Sequence, residues 1–208
     1  RKIVSYKTGK RIVEMVNENL TPSKIMTKKA FENAVVVASA IGGSSNATIH
    51  LIAIAKQMGI KFDLTNWQKL GHKIPLLVNC QPAGEHLMEG FYRAGGVPGV
   101  MKELTKKKKL NIKVMTVTGK KLEENIKSKI EVNTDVIKNF ENNLTEHAGF
   151  LVLKGNFFSS AIIPAPYPER KIVSYKTGKR IVEMVNENLT PSKIMTKKAF
   201  ENAVVVAS

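Results

Sequence analysis

The stretch Ala40–Ala55, AIGGSSNATIHLIAIA, decides how the rest of the chain is read. An apolar helix arrives, two glycines interrupt it, two hydroxyls and an amide follow, and a second apolar helix leaves. Gly42 and Gly43 can adopt backbone conformations closed to other residues, so the chain can reverse tightly and pass close to its neighbours. Ser44 or Ser45 suits the N-cap of the second helix, which the pattern carries to about Met58 before Gly59 stops it. A helix N-terminus offers unpaired N–H groups and roughly half a positive charge, which suits a carboxylate or phosphate. Ser44, Ser45 and Asn46 add donors at the same point, although the plainer reading is that they only cap a structural helix. His50, one turn beyond Asn46, can face the same point, but a lone histidine in an apolar helix is more often a core residue.

Upstream, Ile12, Val13, Met15, Val16 and Leu20 form a helical stripe, Thr21-Pro22 closes it, and Thr27 reads as N-cap of a helix running to Ala40. The second half of that helix is apolar nearly all round, which predicts burial, and residues 49–55 continue that character. Downstream, Thr65 can cap a brief helix through Trp67 and Leu70. Ile74–Val78 is a continuous apolar run of strand length, expected to be covered on both faces. The loop 79–84 that follows, with Cys80, lies at the carboxyl end, the edge where open α/β sheets place ligands. Residues 86–94 and 97–104 read as helices parted by Gly95-Gly96. Residues 112–117 read as a strand, Thr118-Gly119 as a turn, 120–128 as a charged surface helix and 133–146 as a polar surface excursion. Composition then shifts: 150–153 and 161–163 read as strands, and Pro164–Pro168 as a stiff, extended linker.

Residues 170–208 repeat residues 1–39 letter for letter. True repeats diverge, and solenoid arrays use periods of about 20 to 50 residues. A perfect match at both ends is what overlapping ends of an assembled or circular sequence, or a very recent duplication, would produce. The copy is expected to be helical but peripheral.

With 208 residues, 43% of them hydrophobic, the chain has the size and composition of one globular domain. A single cysteine, Cys80, excludes an internal disulfide framework, no zinc-site spacing is present, and a reducing cytoplasm is the natural compartment. No apolar run reaches the ~18 residues of a membrane span, and no signal peptide opens the chain. The first residue is Arg1 rather than Met, as in a piece of a longer protein. The net charge of +16 invites a nucleic-acid reading, yet the repeated segment supplies +5 of it, Lys106–Lys109 is the only basic run, and arginine occurs five times. A basic nucleic-acid-binding module stands as the alternative from another functional class.

Four motifs in order carry a resemblance: FENAVVVASAIGGSSNATIHLIAIA, IPLLVNCQPAGEHLMEGFYRAGGVPGVMKEL, MTVTGKKLEEN and GFLVLKGNFFSSAII. Together they resemble the dihydroxy-acid dehydratase and phosphogluconate dehydratase family, most closely its sugar-acid branch, the arabonate and xylonate dehydratases, over residues 8–163. The resemblance implies a cytoplasmic hydro-lyase that removes water from a 2,3-dihydroxy acid to give a 2-keto-3-deoxy acid, and that is homo-oligomeric in the parent family. It implies an iron–sulfur cluster acting as Lewis acid on the departing hydroxyl and a magnesium ion holding the substrate. The physical need is plain, because hydroxide is a poor leaving group. Gly42, Gly43, Ser44, Ser45 and Asn46 match the family's Gly-Gly-Ser-Thr-Asn, with serine for threonine at Ser45, and are the expected substrate-binding residues. The family's cluster cysteines, magnesium-binding acids and serine base belong to motifs that fall outside this sequence, and Cys80 falls in no ligand motif. This chain alone is therefore expected to bind no cluster or magnesium and to contribute no catalytic residue. The implied fold class is α/β. Residues 1–149 would be the C-terminal part of a parallel-sheet α/β domain, 150–163 the first strands of a β-rich domain, 164–169 a linker and 170–208 a duplicated helical tail. A noncatalytic remnant of a dehydratase gene is a further alternative.

Overall fold

A computed structural model describes residues 2–81, 83–127, 130–147, 149–154 and 160–164. The chain divides into two compact units, Arg1–Tyr167 and Pro168–Ser208. All described residues belong to the first, so the expectation for the repeated tail lies outside them.

The first unit is built around helix α3 (Lys28–Ala40). Thr27 precedes it in extended conformation, and its hydroxyl accepts the Ala30 N–H at 3.4 Å, which satisfies one of the first-turn donors. The valine-rich run is buried on both sides, as its pattern predicts. Val36, Val37 and Ala40 join a core with Leu77, Val78, Phe91, Val100, Leu104 and Ile137. Phe31 and Val35 join a second core with Ala55, Phe62, Trp67 and Phe150. Each fully buried Val or Leu contributes about 1.5–3 kcal/mol by leaving water, so α3 is the helix on which both cores depend.

Helix α1 (Lys2–Asn17) lies outside this arrangement, with Met15 its one buried residue among those described. Arg11 ties it down. Its Nε–H donates to the Val117 carbonyl at 2.7 Å, and its terminal nitrogens donate to both carboxylate oxygens of Glu18 at 2.7 Å each. Those bonds raise the guanidinium's pKa and lower that of Glu18. Helix α2 (Pro22–Ile25) begins on Pro22, and α4 (Asn46–Gln57) stops at Gly59, whose φ is +68°. Only Thr48 and Ala55 of α4 are buried, while Ile49 is 66% exposed; the expected continuous burial of this helix is corrected.

Helix α5 (Leu64–Gly71) begins two residues earlier than Thr65 would place it, because Asp63 and Asn66 form a reciprocal capping box. It packs against α3 at Gly71, where a Cβ would lie 2.6 Å from Ser39 Oγ and 3.2 Å from Val35 Cγ1. Residues 74–78 are extended and buried. They make single antiparallel bridges, Leu76 with Thr145 and Val78 with Ile137. The segment 133–146 therefore crosses the core instead of looping over the surface: Val136 and Ile137 are buried, and Lys138 N–H donates to the Leu77 carbonyl at 2.7 Å. Backbone bonding of the extended run, which needs partners once buried, draws this polar stretch inward.

Helices α6 (Met88–Arg93) and α7 (Gly96–Lys106) are parted at Gly95, whose φ of +113° only glycine tolerates readily. Residues 112–117 form no strand but one bridge, Met115 with Lys121, before α8 (Leu122–Ile126). Strands β1 (Phe150–Leu153) and β2 (Ala161–Pro164) pair antiparallel, Phe150 opposite Pro164 and Leu153 opposite Ala161. The pair docks on α5: Phe150 meets Trp67 edge to face at 4.6 Å, and the Val152 N–H donates to Gln68 Oε1 at 2.7 Å.

Candidate functional site

The site residues sit where α3 ends and α4 begins. Helix α3 closes with paired bonds: the Gly42 N–H donates to the Ser39 carbonyl at 3.1 Å and the Gly43 N–H to the Ala38 carbonyl at 2.8 Å. This is a Schellman ending, and it needs the left-handed φ of +68° found at Gly42. Gly43 is held by space, since a Cβ there would stand 3.1 Å from the Ala38 carbonyl oxygen. The two glycines thus have separate physical duties in one bend.

The head of α4 follows. Ser44 Oγ accepts the Asn46 N–H at 3.3 Å, and the carbonyls of Ser44 and Ser45 accept from Ala47 and Thr48 at 3.0 and 3.1 Å. Ser45 holds the N-cap position, but its φ of −57° and ψ of −22° are helical and its side chain makes no capping bond. Capping by a hydroxyl therefore falls to Ser44. Among the described residues, the Ser45 hydroxyl and the Asn46 side-chain amide have no hydrogen-bond partner. Ser44 and Asn46 are exposed and Ser45 half-buried. His50 is also exposed, which corrects the core reading and leaves it on the Asn46 side of the helix, four residues on.

Sequence reasoning missed Thr48. It is buried in the first turn of α4, and its hydroxyl has no hydrogen-bond partner among the described residues. An unpaired buried hydroxyl costs about 1–3 kcal/mol, and its signal was the lone hydroxyl in the stretch 47–55, which is apolar apart from Thr48 and His50.

Three concave surfaces lie elsewhere. One is an apolar groove between Ile25, Met26, Phe31, Ala34, Leu51 and Ile54. Another is a charged hollow beside Glu103, Lys106 and Glu141, where Lys107 pairs with Glu141 at 2.7 Å. The third runs beside α1 at Lys7, Arg11 and Val117. None is lined by residues 42–46.

Among the described residues no group of three or more His, Cys, Asp or Glu could hold a metal ion. Cys80 is buried, with its thiol 3.7 Å from the Met88 sulfur. The described donors do not fit an iron–sulfur cluster or a magnesium site. No described helix is long and apolar enough to cross a membrane.

The family model for the N-terminal part of dihydroxy-acid/6-phosphogluconate dehydratases matches residues 1–125 and 142–208. An L-arabinonate dehydratase of Rhizobium leguminosarum is 41% identical over 182 residues, covering 88% of this chain and 31% of the relative. A D-xylonate dehydratase of Caulobacter vibrioides is 45% identical over 160 residues, 77% of this chain and 27% of the relative. A dihydroxy-acid dehydratase of Ignicoccus hospitalis is 37% identical over 177 residues, 85% of this chain and 32% of the relative. The chain belongs to the dihydroxy-acid/6-phosphogluconate dehydratase family. It spans about a third of the length of these curated relatives.

Proposed function

We propose that this chain supplies one wall of the pocket of a cytoplasmic hydro-lyase, in which a 2,3-dihydroxy acid, a sugar acid foremost, loses water to give a 2-keto-3-deoxy acid. In that reaction a proton leaves C2, hydroxide leaves C3, and the resulting enol becomes the 2-keto acid. Gly42, Gly43, Ser44, Ser45 and Asn46 form the substrate-facing bend. The Ser45 hydroxyl and Asn46 amide bind oxygen atoms of the substrate, and the positive end of α4 favours its carboxylate. The observation that carries this reading is that these two polar groups, at the head of a twelve-residue helix, have no partner among the described residues.

The described residues fit neither the iron–sulfur cluster nor the magnesium ion that the resemblance implies. We also propose that residues 74–78, extended and buried, belong to the parallel sheet of an α/β domain in the whole protein, with β1 and β2 opening the β-rich domain that follows.

The test is a titration of a pentonate into the chain, followed by amide NMR shifts. Shifts gathered at residues 42–48 and lost in Asn46→Ala support the reading, with no turnover by this chain alone. Shifts scattered elsewhere, an Asn46→Ala titration identical to the parent, or turnover by this chain alone would refute it.

A further inference from the structure

The Thr48 hydroxyl is left unspent for a local reason. In α1, α3 and α7 the hydroxyls of Thr8, Ser39 and Thr105 donate to the carbonyl four residues back, at 2.9, 2.8 and 2.7 Å, the usual outlet for a hydroxyl inside a helix. Thr48 lies in the first turn of α4, so the residue four back is Ser44, which precedes the helix and whose carbonyl accepts the Ala47 N–H instead. Thr48 is 1% exposed, so bulk solvent does not reach its hydroxyl either. Three residues back, on the same face of the helix, stands Ser45, whose half-buried side chain also has no hydrogen-bond partner among the described residues.

We propose that Thr48 is the positioning residue of the substrate-facing bend: when substrate binds, the Thr48 hydroxyl donates to Ser45 Oγ, and Ser45 turns its own proton onto a substrate oxygen. The inference rests on the function proposed above and adds to it a residue outside 42–46. Helix positions three apart stand about 5–6 Å from each other at Cβ, a gap that two hydroxyls close by rotating about their Cα–Cβ bonds. A hydroxyl that accepts one hydrogen bond is a stronger donor of the next. The free chain carries Thr48 unpaired, and the bound chain recovers that cost, so the recovery appears as affinity for a ligand that sets a hydroxyl or carboxylate oxygen against Ser45. The same hydroxyl therefore weakens the fold and strengthens binding, a pair of opposite effects that a purely structural threonine does not have.

The experiment titrates the same pentonate into the full-length parent, Thr48→Val, Thr48→Ser, Ser45→Ala and the Ser45→Ala/Thr48→Val double variant, reading affinity from amide NMR shifts and stability from thermal melts. Thr48→Val keeps the branched shape and removes the unpaired hydroxyl, so its Tm should rise by about 2–4 °C while its affinity falls about tenfold. Thr48→Ser, which keeps the hydroxyl and loses a methyl group, should lower the Tm yet bind within about twofold of the parent. In the Ser45→Ala background, Thr48→Val should change affinity by less than about twofold, because the partner it acts through is gone. Parental shifts at residues 42–48 combined with parental affinity in Thr48→Val, a failure of Thr48→Ser to restore binding, or a tenfold loss that persists in the Ser45→Ala background overturns this inference and leaves the proposed function standing. Shifts of the parent that fall outside residues 42–48 overturn both.

Discussion

Replacing Gly149 by alanine is the sharpest perturbation of the seam between the helices and the β pair. An ideal Cβ on Gly149 would stand 1.7 Å from the Gly71 carbonyl oxygen, 2.4 Å from its carbon and 3.0 Å from His72 Cα. These are backbone atoms, so no side chain can rotate away. Gly71 cannot retreat freely either, because α3 stands behind it at Ser39 and Val35. Restoring ordinary contact needs a displacement of roughly 1.5 Å, which would lift Phe150 from Trp67 and loosen the Val152–Gln68 bond. Overpacking of this severity costs about 3 kcal/mol, or about 6–12 °C of Tm in a domain of this size. The matched control is Gly90→Ala, in α6, where the nearest neighbour to an added Cβ is His86 Cβ at 3.7 Å. That change should stabilise by about 0.5–1 kcal/mol through helix propensity and a less flexible unfolded chain. Urea unfolding followed by fluorescence of Trp67, the single tryptophan, reads both. A Gly149→Ala protein within about 0.5 kcal/mol of the parent would show that the two backbones do not approach as described.

Two further outcomes follow from polar contacts. Asn33→Ala strips the Asn111 N–H and carbonyl of their partners and should cost about 2 kcal/mol, with faster hydrogen exchange at the Asn111 amide; unchanged exchange would contradict the pairing. The Asp63 carboxyl is held below its ordinary value by hydrogen bonds from the Thr65 hydroxyl first, then from the Thr65 N–H. Its contribution is therefore complete above the usual carboxylate range near pH ~4, and it is lost as pH falls through the lowered folded value. Asp63→Asn should flatten the acid limb of stability against pH, and an equally steep limb would refute this.

Much of the helical framework could be read from local chemistry. Thr27, Pro22 and Gly59 mark boundaries by rules that act within a few residues, and the bend at Gly42-Gly43 announces itself. The misplaced elements share one cause, which is that their burial depends on distant partners. Residues 133–146 look polar, yet Val136 and Ile137 are drawn into the core by backbone bonds to residues 76–79. The start of α5 was missed by two residues because Asp63 and Asn66 cap it jointly. At the site, sequence placed the five residues together but not their division of labour. That Ser44 caps while Ser45 and Asn46 stay unspent depends on a helical Ser45 backbone, which no pattern of residue types encodes.

Because α3 is a shared wall, with Val36 and Val37 on one side and Phe31 and Val35 on the other, neither apolar cluster can dissolve while its neighbour stays intact. Denaturation of this unit should therefore be all-or-none, and the slowest-exchanging amides should map to that single helix instead of dividing into two stability classes.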